Sequence, residues 1–253
     1  MRSAGCACRM LTYNWLFLGK TRKNEIPLIA SGTGSDRHTL MANAEQALSR
    51  AFDLIVYGAS GFTGRLVAEH LLSTYGAIGE IRWAMAGRST TKLAEVRALI
   101  GGPSSLPLIA ADASDPASLK AMAESAKVII STVGPYQLYG EGLVAASSAA
   151  GTDYVDLCGE PAWMAAMIRK YGEAAQASGA RIVFSCGFDS IPFDLGVFFL
   201  EQQARETFGL PAMRVRGRVR KMKGDFSGGT AASLLATVVT CVPQCQPVAT
   251  MWG

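Results

Sequence analysis

Residues 52–64 read F-D-L-I-V-Y-G-A-S-G-F-T-G, and this stretch decides the fold. A run of mainly β-forming residues, Phe52 to Tyr57, passes straight into glycines at 58, 61 and 64, and a helical pattern begins at Phe62. A strand that ends in a glycine-rich turn and feeds a helix N-terminus is built to hold phosphate, because unpaired amide N–H groups and the helix dipole both face the ligand. In a dinucleotide-binding βαβ unit the first glycine permits the tight turn, the second lets backbone approach the pyrophosphate, and the third packs helix on strand. Those roles fall on Gly58, Gly61 and Gly64, with Ser60, Phe62 and Thr63 completing the turn. The spacing is G-x-x-G-x-x-G rather than G-x-G-x-x-G, a variant whose meaning depends on the strand before it and the helix after it. A tight βα turn that binds nothing is the alternative.

Working outward, short apolar runs alternate with helical patterns, the mark of βαβ units and a parallel sheet. The expected strands are Phe52–Tyr57, Ile81–Ala86, Leu106–Ala111, Val128–Val133, Tyr154–Leu157 and Arg181–Ser185. Helices are expected over Phe62–Tyr75, Thr90–Ile100, Asp115 to about Ala126, Glu141–Ala150 and Pro161–Ser178. Asp115 followed by Pro116 is a side-chain cap with proline at the first helical position, and glycines follow the helices at 76, 101, 151 and 179. The fold class is therefore α/β, a doubly wound Rossmann-type parallel sheet over residues 50–190. Beyond it, Phe193–Phe208 reads as an apolar-rich helix and Met213–Lys223 alternates M-R-V-R-G-R-V-R-K-M-K. Period-two alternation predicts a half-buried strand, the start of a second, α+β domain spanning 191–253. Its outer face would carry Arg214, Arg216, Arg218 and Arg220, either as an ordinary solvated face or as a surface for an acidic substrate or carrier.

The choice of dinucleotide is made at the end of the second strand. An NAD site needs a carboxylate there for the ribose 2′-hydroxyl, and an NADP site needs a cation for the 2′-phosphate. The strand ends A-G-R-S, with no acid between Ile81 and Ala94. Arg88 offers a bidentate fork and Ser89 a hydroxyl, so the cofactor read from sequence is NADP(H). Asp112, at the end of the third strand, is placed to accept from the adenine amine or merely to cap its turn.

Carboxyl ends of parallel strands face the ligand crevice. After the fourth strand, S-T-V-G-P-Y-Q-L-Y-G-E (131–141) puts Thr132, Gly134 and Pro135 beside the cofactor. Tyr136 and Tyr139 then stand where a substrate would approach, as proton donors or as packing under the next helix. The same rule puts Cys158, Glu160, Cys186 and Asp189 on the crevice edge. Cysteine nucleophily would need a nearby base or cation, and the two histidines, His38 and His70, lie elsewhere. Short-chain dehydrogenases share the glycine turn but use Tyr-x₃-Lys, and none of the seven tyrosines here has lysine four positions later.

The chain has 253 residues, 49% hydrophobic and 17% charged, enough to bury a core. Its net charge of +4 resides in residues 1–40, and the rest balances. Nucleic acid is therefore not an expected partner of the body. The six cysteines, at 6, 8, 158, 186, 241 and 245, have no zinc-site spacing, so no metal is expected and a reduced intracellular setting is the simplest reading. Residues 1–45 read as a leader without fixed structure. The apolar run 10–18 is too short to span a bilayer, and five bases against one acid in the first 25 residues leave an organelle transit peptide as the alternative.

Taken together, V-Y-G-A-S-G-F-T-G (56–64), A-G-R-S (86–89), S-T-V-G-P-Y (131–136), Y-V-D-L-C-G-E (154–160), G-F-D-S-I-P-F-D-L-G (187–196) and F-S-G-G-T-A-A-S-L-L-A-T (226–237) resemble the saccharopine dehydrogenase-like oxidoreductases. The trans-acting enoyl reductases of lipid biosynthesis are the nearest branch. The resemblance implies an NADP-binding Rossmann domain, a C-terminal α+β substrate domain, and association with glycolipid synthesis and lipid droplets or membranes. Family members are much longer, so it also implies a substrate domain cut short, with an atypical tail from about 239. Three functions follow as expectations: an NADP(H)-dependent reductase of a lipid-like enoyl or carbonyl substrate, a non-catalytic NADPH-binding module, or a saccharopine-type amino-acid dehydrogenase. Oligomeric state is not legible.

Overall fold

A single parallel sheet organises the chain, with strands in the order β3-β2-β1-β4-β5-β6. The structure, a computed structural model, describes residues 50–221, 223–224 and 227–241. The expected leader (1–45), with Cys6, Cys8 and His38, and most of the expected tail, with Cys245, lie outside the described residues. The strands are β1 (Phe52–Tyr57), β2 (Trp83–Gly87), β3 (Leu108–Ala110), β4 (Ala126–Ser131), β5 (Asp153–Asp156) and β6 (Ile182–Val183). The helices are α1 (Phe62–Tyr75), α2 (Thr90–Leu99), α3 (Pro116–Ser125), α4 (Tyr136–Tyr139), α5 (Glu141–Ala150), α6 (Pro161–Ser178), α7 (Ile191–Phe208) and α8 (Gly228–Cys241).

Successive side chains of a strand point to opposite faces, and burial on both faces makes β1 and β2 almost wholly apolar. Ile55 and Tyr57 of β1, with Ala84 and Ala86 of β2, join α3, α5 and α6 in one core. Val56, Trp83 and Met85 join α1 and α2 in the other, through Ala68, Leu71 and Leu93. Trp83 also donates its indole N–H to the Gly76 carbonyl at 2.8 Å, which meets the polar need of a buried indole.

Registers align the strand ends. Tyr57 stands beside Ala86 and Ser131, Gly87 beside Ala110, and Ser131 beside Asp156. β4 therefore stops at Ser131, not Val133, because β1 offers no partner beyond Tyr57. At the opposite edge Asp53 takes Arg82 in a two-point grip (3.0 and 3.1 Å) and Lys127 at 2.7 Å, pinning β1, β2 and β4 together. These partners, Arg82 foremost, hold the Asp53 carboxyl well below the usual carboxylate range. Just before β1, the buried Arg50 guanidinium donates to the carbonyls of Ala123 and Ala126 and to the Thr152 hydroxyl. A cation thus meets carbonyls at the C-terminal end of α3, the favourable end of the dipole.

Two expectations change here. Met213–Lys223 is not a strand: its described residues pair with no neighbour, and Arg214, Arg216, Arg218 and Arg220 are all exposed. Alternation needs an adjacent strand to become a ladder, and the described residues supply none. The expected solvent-facing row is present, the half-burial is not. The helix α7 begins at Ile191, two residues early, and buries none of its side chains. No helix among the described residues is long and apolar enough to cross a membrane.

Two measurements check this account. Gly64→Ala should destabilise the protein by about 3 kcal/mol, the upper end of overpacking costs, because its methyl carbon would meet the Gly58 carbonyl oxygen at 2.2 Å; denaturant unfolding within 0.5 kcal/mol of the parent, roughly the scatter of neutral surface changes, would contradict it. Asp53→Asn should cost about 1 kcal/mol at pH 7, a partly exposed cluster being screened. A depressed carboxyl stabilises above its unfolded pKa of about 4 and loses that contribution as pH falls. The gap between variant and parent should thus narrow by pH 3, and an undiminished gap would refute the linkage.

Candidate functional site

The turn between β1 and α1 is shaped by three close approaches. Gly58 adopts φ +88°, and a Cβ there would meet Thr132 Oγ1 and Val133 Cγ2 at 2.7 Å, so both conformation and space demand glycine. Its N–H and that of Ala59 donate to the Ala86 carbonyl at 2.9 and 3.1 Å, tying the turn to β2. Gly61 N–H closes the turn onto Gly58 O at 2.9 Å, and Gly61 becomes the N-cap of α1. A Cβ on Gly64 would strike Gly58 O, Gly58 C and Ala59 Cα at 2.2–2.8 Å, so α1 sits directly on the turn.

No side chain caps α1. The first N–H groups of a helix lack intrahelical partners, so those of Phe62 and Thr63 stand at an exposed end, with the Phe62 ring 64% exposed beside them. Ser60 faces the end of β2, its Oγ lying 3.5 Å from where a Cβ of Gly87 would be. This is an open cradle of donors and partial positive charge, and it suits a phosphate.

Arg88 follows β2 directly and is exposed. Burial pushes the Tyr57 hydroxyl up to about 12, with the Asp112 charge adding to this and the Arg88 charge opposing it. Both charged groups therefore lie near the end of β1. Asp112 is held below the usual carboxylate range by the N–H and O–H of Ser114 and then by Arg88. Ser89 caps α2, its Oγ accepting from Lys92 N–H at 3.3 Å. Thr132 donates both its N–H (2.9 Å) and its hydroxyl (3.0 Å) to the Tyr57 carbonyl, locking the loop after β4 to the glycine turn. Gly134 and Pro135, joined by a cis peptide, lead into α4. On the far side of Gly134 is Ser233 of α8, and Gln137 donates to Thr237 of α8 at 3.4 Å.

The structure separates the two tyrosines. Tyr136 is only 3% exposed and packs on Trp163, ring centroids 5.6 Å apart. Its hydroxyl donates to Ser131 O at 3.2 Å and accepts from Leu157 N–H at 3.4 Å. Burial, with Asp156 next, pushes its pKa far up. Of the two roles open to it, Tyr136 takes the packing one, and its hydroxyl is committed to backbone. Tyr139, 48% exposed, is the accessible member of the pair.

The surroundings of the cysteines on the crevice edge disfavour the thiolate form. Burial raises Cys158 and Cys186 above the ordinary thiol value, with nearby acids adding to the shift. Asp189 is exposed. Two groups went unread in the sequence. Asp156, 2% exposed, accepts from Cys158 N–H (3.0 Å), Ser185 N–H (2.9 Å) and the Tyr154 hydroxyl (2.8 Å). It thereby joins the loops after β5 and β6. Ser227 caps α8 through Thr230 N–H at 3.1 Å. The signal for Asp156 was an acid at an inward position of a strand, the place where a carboxyl must find several donors.

A dinucleotide with a pyrophosphate and a 2′-phosphate fits this arrangement: open amides at the N-terminal end of α1, a bare turn at Gly61, and the Arg88 cation directly after a strand, β2, that carries no carboxylate. The comparisons with known proteins agree. The family described as "Saccharopine dehydrogenase NADP binding domain" matches residues 54–183. A Mycobacterium tuberculosis protein provisionally named a trans-acting enoyl reductase is 49% identical over 195 residues, covering 77% of this chain and 46% of its own. The trans-acting enoyl reductase of Mycobacterium leprae is 49% identical over 160 residues, 62% of this chain and 37% of that protein. The matched stretch thus spans less than half the length of either relative. The apo saccharopine dehydrogenase (L-Glu forming) of Saccharomyces cerevisiae overlays with a TM-score of 0.47 at 19% identity, covering 61% of this chain and 32% of that one, too loosely to inform the site. On the family match, the chain belongs to the saccharopine dehydrogenase NADP-binding domain family, and its cofactor is NADP(H).

Proposed function

We propose that this chain is the cofactor-binding part of an NADP(H)-dependent oxidoreductase acting on a lipid-like enoyl or carbonyl substrate. The observation that carries the reading is the uncapped N-terminus of α1 seated on the Gly58 turn, with Arg88 as the cation at the neighbouring strand end. NADPH, when bound, supplies a hydride. The chain's residues do the rest. Phe62 and Thr63 offer amide N–H groups to the pyrophosphate, with Ser60 and Gly61 shaping the approach. Arg88 binds the 2′-phosphate as a two-donor fork. Ser89, whose Oγ caps α2, keeps its hydroxyl proton for the same phosphate. Thr132, Gly134 and Pro135 form the facing wall after β4.

The enoyl part of the reading draws on the names of the relatives, 49% identical to this chain. Tyr139 is the tyrosine within reach of a substrate proton transfer, being exposed on the same short helix whose other tyrosine is buried. The apolar side chains exposed along α7, among them Phe193, Phe198 and Phe199, suit an acyl substrate or a lipid surface. A second reading, NADPH binding without turnover, is favoured by one observation: α7 buries none of its side chains among the described residues, so the substrate side is less enclosed than the cofactor side.

Thermal shift with NADPH and NADH, followed by NADPH oxidation in the presence of enoyl thioesters, tests both readings. Dinucleotide at 100 times its Kd should stabilise by about 2.7 kcal/mol, with NADPH far ahead of NADH; no shift with either refutes the cofactor site, and binding without oxidation selects the second reading. Arg88→Ala should weaken NADPH about tenfold or more, the loss of a charge-assisted bond costing about 1.5–3 kcal/mol, and leave NADH affinity unchanged. Equal NADPH affinity in variant and parent would remove Arg88 from the site.

A further inference from the structure

Glu160 is a buried acid that the proposed chemistry does not use. It is 3% exposed and lies at the start of α6, where its N–H donates to Cys158 Sγ at 3.3 Å and its carbonyl accepts from Met164 N–H at 3.1 Å. Its carboxyl group turns away from its own helix. Oε1 accepts from Tyr136 N–H at 3.0 Å and Oε2 from Gln137 N–H at 2.8 Å. No Lys or Arg forms an ion pair with it among the described residues. A buried acid is costly unless its oxygens are satisfied, and here the donors are the first two amides of α4. Those amides have no partner within their own helix, and α4 is a single turn that follows Pro135, a residue with no N–H of its own.

The place of that turn gives the contact its meaning. The strand order reverses between β1 and β4, and ligands of doubly wound sheets bind outside the strand ends at such a point. The glycine turn after β1 and Arg88 after β2 occupy the adenosine side. The segment Thr132–Gln137 after β4 occupies the other side, where the second mononucleotide of a dinucleotide lies. We infer that Glu160 is a positioning residue that sets the nicotinamide-side wall of the cofactor crevice by clamping the first turn of α4 from the loop after β5. The inference rests on the cofactor reading above. It predicts that Glu160 acts on one half of the dinucleotide only, since its carboxyl hydrogen bonds among the described residues both go to the turn after β4.

The test is a pair of titrations on the full chain with NADPH and with adenosine 2′,5′-bisphosphate, which carries the 2′-phosphate and no nicotinamide. Glu160→Gln keeps one acceptor oxygen and sets a donor NH2 group against one amide of α4. It should weaken NADPH about tenfold and leave the bisphosphate within twofold of the parent. The Tyr136 and Gln137 amides should exchange hydrogen faster in the variant, with the α1 amides unchanged. Glu160→Asp, which draws the carboxyl group back by one methylene, should give the same split if the glutamine variant does not fold. Parallel weakening of both ligands, or no change in either, with the parent binding both, overturns the role of Glu160 alone. A parent that binds neither ligand overturns the cofactor reading and this inference with it.

Discussion

The arrangement depends on one steric constraint: residue 64 cannot carry a side chain, because a Cβ there would lie 2.2 Å from the Gly58 carbonyl oxygen. That contact seats α1 on the turn after β1. It fixes where the first amides of the helix stand and aims the positive end of the dipole outward over the sheet edge. Everything proposed for the cofactor follows from this placement. Gly58, at φ +88° and with Thr132 Oγ1 2.7 Å from its absent Cβ, completes the constraint by bringing the loop after β4 against the same turn.

Around that contact, the carboxyl ends of the strands are tied by polar groups whose partners are nearly all backbone. Thr132 joins the ends of β1 and β4, Asp156 joins those of β5 and β6, and Glu160 joins the loop after β5 to α4. Each is satisfied at ordinary distances of 2.8–3.0 Å. Backbone donors are pre-aimed and cost little to order, so such ties make a rigid rim around an open crevice. At the opposite end of the sheet Asp53 and Arg50 do the same service with charged groups. The site thus lies along a tied edge, on a sheet that is clasped at its far end as well.

The sequence disclosed the parts of this that are local or periodic. Six strands, the longer helices between them and the glycine turn could be read because each is a short-range pattern, and strand limits shifted by only a few residues; the single turn of α4 was not legible. Asp112 in its own turn and Asp115 before Pro116 are likewise local. Long-range polar pairs were not legible. Glu160 meets Tyr136 across 24 positions, and Asp156 meets Ser185 across 29. Nothing in either segment marks the other as its partner. The two readings of Tyr136 could not be separated in the sequence for the same reason: its place at a strand end is local, but the Trp163 ring that buries it comes from another helix. Met213–Lys223 shows the converse error. Alternation there is genuine, but a strand is a pairing, and one segment alone cannot declare it.

In this reading the Gly58–Gly64 turn holds the pyrophosphate while Arg88 selects the 2′-phosphate, and a crystal structure of the protein with NADPH bound is the decisive measurement. The pyrophosphate should lie against the Phe62 and Thr63 amides and the 2′-phosphate within hydrogen-bond reach of Arg88. A dinucleotide seated elsewhere on the sheet edge, or one whose 2′-phosphate lies in solvent away from Arg88, would contradict it.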